Sequence, residues 1–132
     1  MASLVLVDTC VWVSFFSRKA SPHKAAVEKL LDEDQAAIVG PILAEILLGF
    51  KKQEESDWVA SALEGAQYLQ LAWDDWRAAA NLGRKLASDG HPLPLSDLCL
   101  ASTALRLDLL LYSIDPHFDL VLGLRRYHPE SA

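Results

Sequence analysis

The chain begins its first apolar run with "LVLVDTCVW", Leu4 to Trp12. Four apolar residues lead straight into a carboxylate, and apolar residues resume at Val11. A short run of this kind, rich in valine, predicts a buried strand over Leu4–Val7. Burying an unpaired aspartate costs several kcal/mol, so Asp8 needs a partner. In open parallel α/β sheets, ligands bind beyond the carboxyl ends of the strands. Asp8 is therefore the first candidate functional residue.

The same alternation continues along the chain. Val11–Ser17 reads as a short helix, and Ser21-Pro22 as an N-cap followed by proline at the first helical position. Val27, Leu30 and Leu31 give that helix its apolar stripe. Ala36–Val39 is a second strand. Gly40-Pro41 opens a helix in which Leu43, Ile46, Leu47 and Phe50 recur at helical spacing. After the polar break Lys51–Ser56, a helix is expected near Asp57–Glu64, then a strand over Tyr68–Leu71. Asp74-Asp75 starts a periodic helix with Trp76, Ala79, Ala80, Gly83, Leu86 and Ala87 on one face. Following the loop His91–Leu95, Ser96 is a good N-cap for a helix to about Leu107. Leu109–Ser113 is a strand, Asp115-Pro116 a turn, and Leu124–Tyr127 a last strand. Apolar strands alternating with amphipathic helices predict a parallel α/β sheet covered on both faces.

Composition narrows the function classes. The 132 residues are 52% hydrophobic and 23% charged, as in a single compact domain with a sizeable core. The net charge of −6 argues against coating nucleic acid through bulk charge. The basic pairs Lys51-Lys52, Arg84-Lys85 and Arg125-Arg126 fit solvated surface better than phosphate contacts. Two cysteines, Cys10 and Cys99, without zinc spacing argue against a structural zinc site or a disulfide scaffold. There is no basic leader and no apolar stretch of spanning length, so a cytoplasmic protein without a membrane segment is expected.

Four acids deserve comparison. Asp8 and Asp115 lie at or just beyond predicted strand ends, so a parallel sheet brings both to one edge. Each also fits a turn or helix cap. Glu45 lies off the apolar stripe of its helix and fits a solvated position, although its helical neighbours are Pro41, Leu48 and Gly49 rather than charges. Asp97 fits a favourable first-turn acid, worth about 0.3–1 kcal/mol, yet Leu95, Leu98, Leu100 and Ala101 surround it. If all four converge, each like-charge pair at roughly 5 Å costs about 3 kcal/mol at an effective dielectric near 20. Such a cluster needs protons or a cation. Oxygen ligands alone select a hard ion, Mg²⁺ or Mn²⁺, which can activate water and clamp a phosphate oxygen.

The motifs themselves resemble those of PIN domains, specifically the VapC-like toxin ribonucleases of bacterial toxin–antitoxin pairs. Asp8-Thr9 followed by Trp12 resembles the opening motif. "PILAEILLGF" (Pro41–Phe50) resembles the segment carrying the glutamate, here Glu45. "PLPLSDLCLASTAL" (Pro92–Leu105) resembles the third motif, with Asp97 as its acid. "YSIDPHF" (Tyr112–Phe118) resembles the last, with Asp115. The four occur in the family's order and span nearly the whole chain. One position departs: His117 stands where a second acid is common, and Asp119, beyond Phe118, is the nearest substitute.

The resemblance implies a three-layer α/β/α fold with a mostly parallel sheet over residues 1–132. It implies a Mg²⁺-dependent endoribonuclease, with Mn²⁺ as substitute, that hydrolyses RNA phosphodiester bonds through a metal-activated water. Asp8 and Asp97 would bind the principal ion, and Glu45 and Asp115 would complete the cluster through water or a second ion. From the residues themselves, Thr9 and Ser113 fit equally as groups that orient carboxylates or a water and as ordinary turn hydroxyls. The implied partners are RNA, a small antitoxin, a second copy of the chain in a homodimer, and operator DNA only through the antitoxin. The helices Pro41–Phe50 and Trp58–Leu63 are core elements with a further use as antitoxin or dimer contacts. Among the tryptophans, Trp76 is expected in the core, and Trp12 and Trp58 in the core or an interface, rather than stacked on RNA. The four histidines read as surface or loop residues, His117 being the one beside an acid.

Three other readings fit the residues less well. A haloacid-dehalogenase-type phosphatase needs a second acid two residues after Asp8, where Cys10 stands. A receiver-like signalling module needs an acidic pair after its first strand and a late lysine, but no lysine follows Lys85. A PIN-fold binding module with a weakened site is opposed by the intact acidic set.

Overall fold

In the computed structural model, residues 3–129 are described. The ends of the expected domain, residues 1–2 and 130–132, lie outside the described residues. Four strands, β1 (Val5–Val7), β2 (Ala36–Val39), β3 (Gln67–Leu69) and β4 (Leu110–Tyr112), form one sheet in the order β3-β2-β1-β4. Every pairing is parallel, with Val5 opposite both Ala36 and Leu110, and Ala37 opposite Gln67. β1 and β2 are buried along their full lengths, as expected of central strands covered on both faces.

Six helices complete the three-layer α/β/α architecture: α1 (Thr9–Phe16), α2 (Pro22–Asp32), α3 (Gly40–Leu48), α4 (Gln53–Leu63), α5 (Trp73–Ser88) and α6 (Leu95–Leu107). α1 packs on α2 and α3, while α5 packs on α6. Ser21 caps α2 as expected, its hydroxyl accepting from the Lys24 N–H at 3.1 Å. A 3₁₀ helix (Pro116–Leu120) follows β4.

Several boundaries differ from the sequence reading. α4 starts at Gln53, inside the expected polar break, because Glu54 and Glu55 suit the positive end of a helix. α5 starts at Trp73, and Asp75 reaches back to accept from the Ala72 N–H at 2.8 Å. α6 starts at Leu95 with Pro94 at the N-cap, so Ser96 is inside the helix rather than capping it. β3 lies slightly earlier than Tyr68–Leu71. The expected strand Leu124–Tyr127 reduces to one parallel bridge, Leu111 to Arg126, since the chain turns at Gly123 (φ 83°) just before it.

The buried face of α5 is also rotated. Asp75, Ala79 and Leu86 are buried, whereas Trp76 is 44% exposed. Asp75 is tolerated inside because Arg106 of α6 donates to it. Gly83 leaves room for Leu98: a Cβ there would stand 2.7 Å from Leu98 Cδ1. Trp12, by contrast, is fully buried and packs on Phe15 and Phe16. Trp12→Ala is therefore expected to cost about 3–5 kcal/mol in urea unfolding, and Trp76→Ala no more than about 1 kcal/mol. Comparable losses would return Trp76 to the core.

Candidate active site

Asp8 follows β1 directly. Its backbone N–H donates to Tyr112 O at 2.9 Å, extending the β1–β4 ladder by one rung. Its side chain caps α1, with Oδ1 accepting from the Thr9 N–H at 2.7 Å. Oδ2 accepts from the Ser113 hydroxyl at 2.7 Å and from the Cys10 thiol at 3.4 Å. The residue is 6% exposed. The cap reading and the functional reading thus describe one carboxylate, buried at a strand end and held by three donors.

Glu45 projects from α3 and is exposed. Thr9 Oγ1 donates to its Oε1 at 2.7 Å, and Ser96 Oγ to its Oε2 at 2.8 Å. One hydroxyl comes from α1 and the other from α6, so Glu45 ties three helices together. Asp115 caps the 3₁₀ helix, its Oδ1 accepting from the His117 N–H at 2.9 Å. The His117 ring lies beside it, Nδ1 to Oδ1 2.9 Å. Ser113 Oγ accepts from the Asp115 N–H at 3.0 Å, so one hydroxyl serves two of the acids.

Asp97 stands in the first turn of α6, half-buried. Its carboxyl is pushed up to about 6, first by burial, then by the charges of Asp8, Asp115 and Glu45, with His117 pulling the other way. That coupling gathers the four acids into one neighbourhood. Together with Thr9, Cys10, Ser96, Pro94 and Ile114 they line a cleft of about 380 Å³. Burial also raises the Cys10 thiol, so sulfur enters the cleft as a neutral group. A separate apolar recess of about 280 Å³, away from the acids, lies beside Trp58 and is lined by Phe16, Phe50 and Val59 with Glu54 and Glu55.

Among the described residues, no lysine or arginine forms an ion pair with any of the four carboxylates. The excess of negative charge and the oxygen-rich donors suit a hard cation. Among the described residues, too, no three Asp, Glu, His or Cys side chains are grouped tightly enough to hold one ion by themselves. A cation bound here would therefore take only one or two carboxylates and keep several waters. The spacing does not fit an all-protein cage.

Asp119, the expected substitute for the missing acid, has a different partner. It is turned to Arg126, whose Nη1 donates to Oδ1 at 2.8 Å, and it does not line the cleft. The sequence reading missed Ser96 and Cys10 as cleft residues. The signal was present for both, since Ser96 is next to Asp97 and Cys10 lies two residues after Asp8. His23, expected as a surface or loop residue, lies half-buried in α2 with Nδ1 2.6 Å from the Tyr112 hydroxyl. Trp58 and Trp73 are largely exposed, at 67% and 78%.

The family model described as "PIN domain" matches residues 5–122, from the first strand through the 3₁₀ helix. The chain belongs to this family. This PIN domain is 29% identical over 122 residues to the VapC ribonuclease Mb1587 of Mycobacterium bovis, covering 89% of this chain and 91% of that protein. Among solved structures, it superimposes on a chain of VapBC2 from Rickettsia felis, bound to a DNA fragment from their promoter. That match has a TM-score of 0.80 at 20% identity and covers 94% and 97% of the two chains. It also matches a toxin–antitoxin complex from Klebsiella pneumoniae, with a TM-score of 0.76 at 22% identity over 97% and 99% of the chains.

The raised carboxyl of Asp97 has a direct consequence for the metal-free PIN domain. The folded form holds this proton more tightly than the unfolded chain does. Its contribution to stability is therefore fully present below about pH 4 and is lost as pH rises through about 6. Asp97→Asn should flatten that part of the pH–stability curve, measured as urea midpoints without divalent ions. An unchanged slope would place the titration elsewhere.

Proposed function

We propose that this chain is a Mg²⁺-dependent endoribonuclease, the toxin of a toxin–antitoxin pair, formed as a single domain. The observation that carries the reading is the convergence of Asp8, Glu45, Asp97 and Asp115, from four different segments, in one cleft without a lysine or arginine paired to them. The similarity to a VapC ribonuclease over nearly the whole chain supports the choice of RNA.

Asp8 and Asp97 would hold the principal ion, Mg²⁺ or in its place Mn²⁺. When bound, the ion supplies a nucleophile from water near neutral pH and offsets charge on the phosphate. The chain's own groups do the rest. Ser113 and the Thr9 N–H fix the Asp8 carboxylate in direction. Thr9 and Ser96 hold both oxygens of Glu45, which suits it to orient a water or take a proton rather than wrap an ion. Asp115 lines the same cleft with His117 beside it.

The partners follow from the same comparisons. The matched toxin–antitoxin complexes support a small antitoxin as the natural inhibitor, with operator DNA reached only through it. The exposed Trp58 and the recess lined by Phe16 and Phe50 offer an apolar seat for it. A homodimer is part of the proposal. No helix among the described residues is long and apolar enough to cross a membrane, in keeping with a cytoplasmic setting for RNA cleavage.

The deciding experiment is cleavage of total RNA by the antitoxin-free protein with Mg²⁺, with a chelator, and with Asp97→Asn. Discrete fragments are expected only with the metal and the native Asp97, the variant losing about 10²-fold or more in rate. A folded protein that neither cuts RNA nor binds the metal would reduce the chain to a binding module. Thr9→Val combined with Ser96→Ala should lower the rate about 10- to 100-fold by freeing Glu45. Full activity in that double variant would remove Glu45 orientation from the mechanism.

A further inference from the structure

We infer that Arg126 is a positioning residue for the segment carrying Asp115, held in place by the strap Arg125–Tyr127. The strap lies beyond residues 5–122, the extent of the family match. Leu111 N–H donates to Arg125 O at 2.9 Å and Tyr127 N–H to Leu111 O at 2.8 Å, so the strap lies along β4. The Tyr127 ring packs on Tyr112, centroids 4.8 Å apart.

From this base the Arg126 side chain, only 15% exposed, reaches the loop that leaves β4. Nη2 donates to Ser113 O at 2.6 Å and to Asp115 O at 3.2 Å, while Nη1 donates to Asp119 Oδ1. The guanidinium carbon lies 5.8 Å from the centre of the buried Phe118 ring. β4 ends at Tyr112, so carbonyls beyond it have no strand partner and need donors from elsewhere. A planar fork with several donors can hold two carbonyls and a carboxylate at once; an ammonium cannot copy that geometry.

The clamp has two consequences for the cleft. It fixes Ser113, whose hydroxyl supports Asp8, and it fixes the backbone that aims Asp115. Asp119 thereby gains a role: it neutralises the guanidinium instead of joining the acids. The kinetic part of this inference rests on the proposed nuclease. The structural part does not.

The test compares Arg126→Met, Arg126→Lys and, as control on the same strap, Arg125→Met, which loses only the contacts to Asp108. Amide exchange of the metal-free proteins and RNA cleavage with Mg²⁺ are both read. In Arg126→Met, the Asp115 and His117 amides should exchange about tenfold faster or more while the β1 and β2 amides keep their protection. The kcat should fall about tenfold or more with KM little changed. Arg126→Lys should fall between this variant and the native protein, and Arg125→Met should match the native protein in both readouts. Native protection and native kcat in Arg126→Met would overturn the inference. So would equal losses in Arg125→Met, or exchange that opens the whole sheet, since these describe a general loss of stability. If Arg126→Met does not fold, Arg126→Lys against Arg125→Met carries the same comparison. If the native protein cuts no RNA, the nuclease reading falls, and the two amides still decide the clamp.

Discussion

The parallel pairing of β1 with β4, carried one residue past β1 by the Asp8 N–H to Tyr112 O bond, is the constraint on which the site depends. It sets the end of the first strand beside the end of the last, although about a hundred residues of chain separate them. Ser113, the next residue along β4, is thereby placed to donate to Asp8. β2 ends at the same edge and passes at once into α3, which lifts Glu45 over the cleft. α6 supplies Asp97 from the layer packed against α3. A slip of one residue between β1 and β4 would move Ser113 away from Asp8 and turn Tyr112 out of its buried position.

Electrostatics then shape what this edge can tolerate. Hydroxyls and amides satisfy Asp8 and Glu45, and Asp115 is capped by its own helix turn. Asp97 has its carboxyl pushed up to about 6, first by burial and then by the charges of Asp8, Asp115 and Glu45. A divalent cation held there, as proposed, would have to displace that proton. The site is arranged around hydrogen-bond donors that orient the acids without cancelling their charge, as charge preorganisation in a cleft requires.

Much of this was legible in the chain. The strands Val5–Val7 and Ala36–Val39 are fully buried and bear no ambiguity of period, so their positions followed from residue type. The four acids were found because each interrupts or ends an apolar element. Individual side-chain contacts were not legible. Ser96 looked like a cap because serine before an acid is a common helix start, and only the neighbouring α3 reveals its real partner. Trp76 looked buried because periodicity fixes a stripe only to within about one residue. Asp75, paired with Arg106 from 31 residues away, occupies the inward position instead. Arg126 sat in an ordinary basic pair. Its burial depends on a turn at Gly123 and on a bridge to β4, neither of which local sequence encodes.

The double hold on Glu45 has one more consequence. Both donors to it are hydroxyls, and a hydroxyl can rotate to accept as readily as to donate. A glutamine at position 45 would find an accepting oxygen for its amide hydrogen on one side and keep a donor on the other. The side chain would stay where it is, and only its negative charge would vanish. Backbone amides in both places would have forbidden that exchange. The cleft thus carries at Glu45 a position where shape and charge are separable, with either end free to be the acceptor, while at Asp8 the Thr9 N–H fixes which oxygen must remain one.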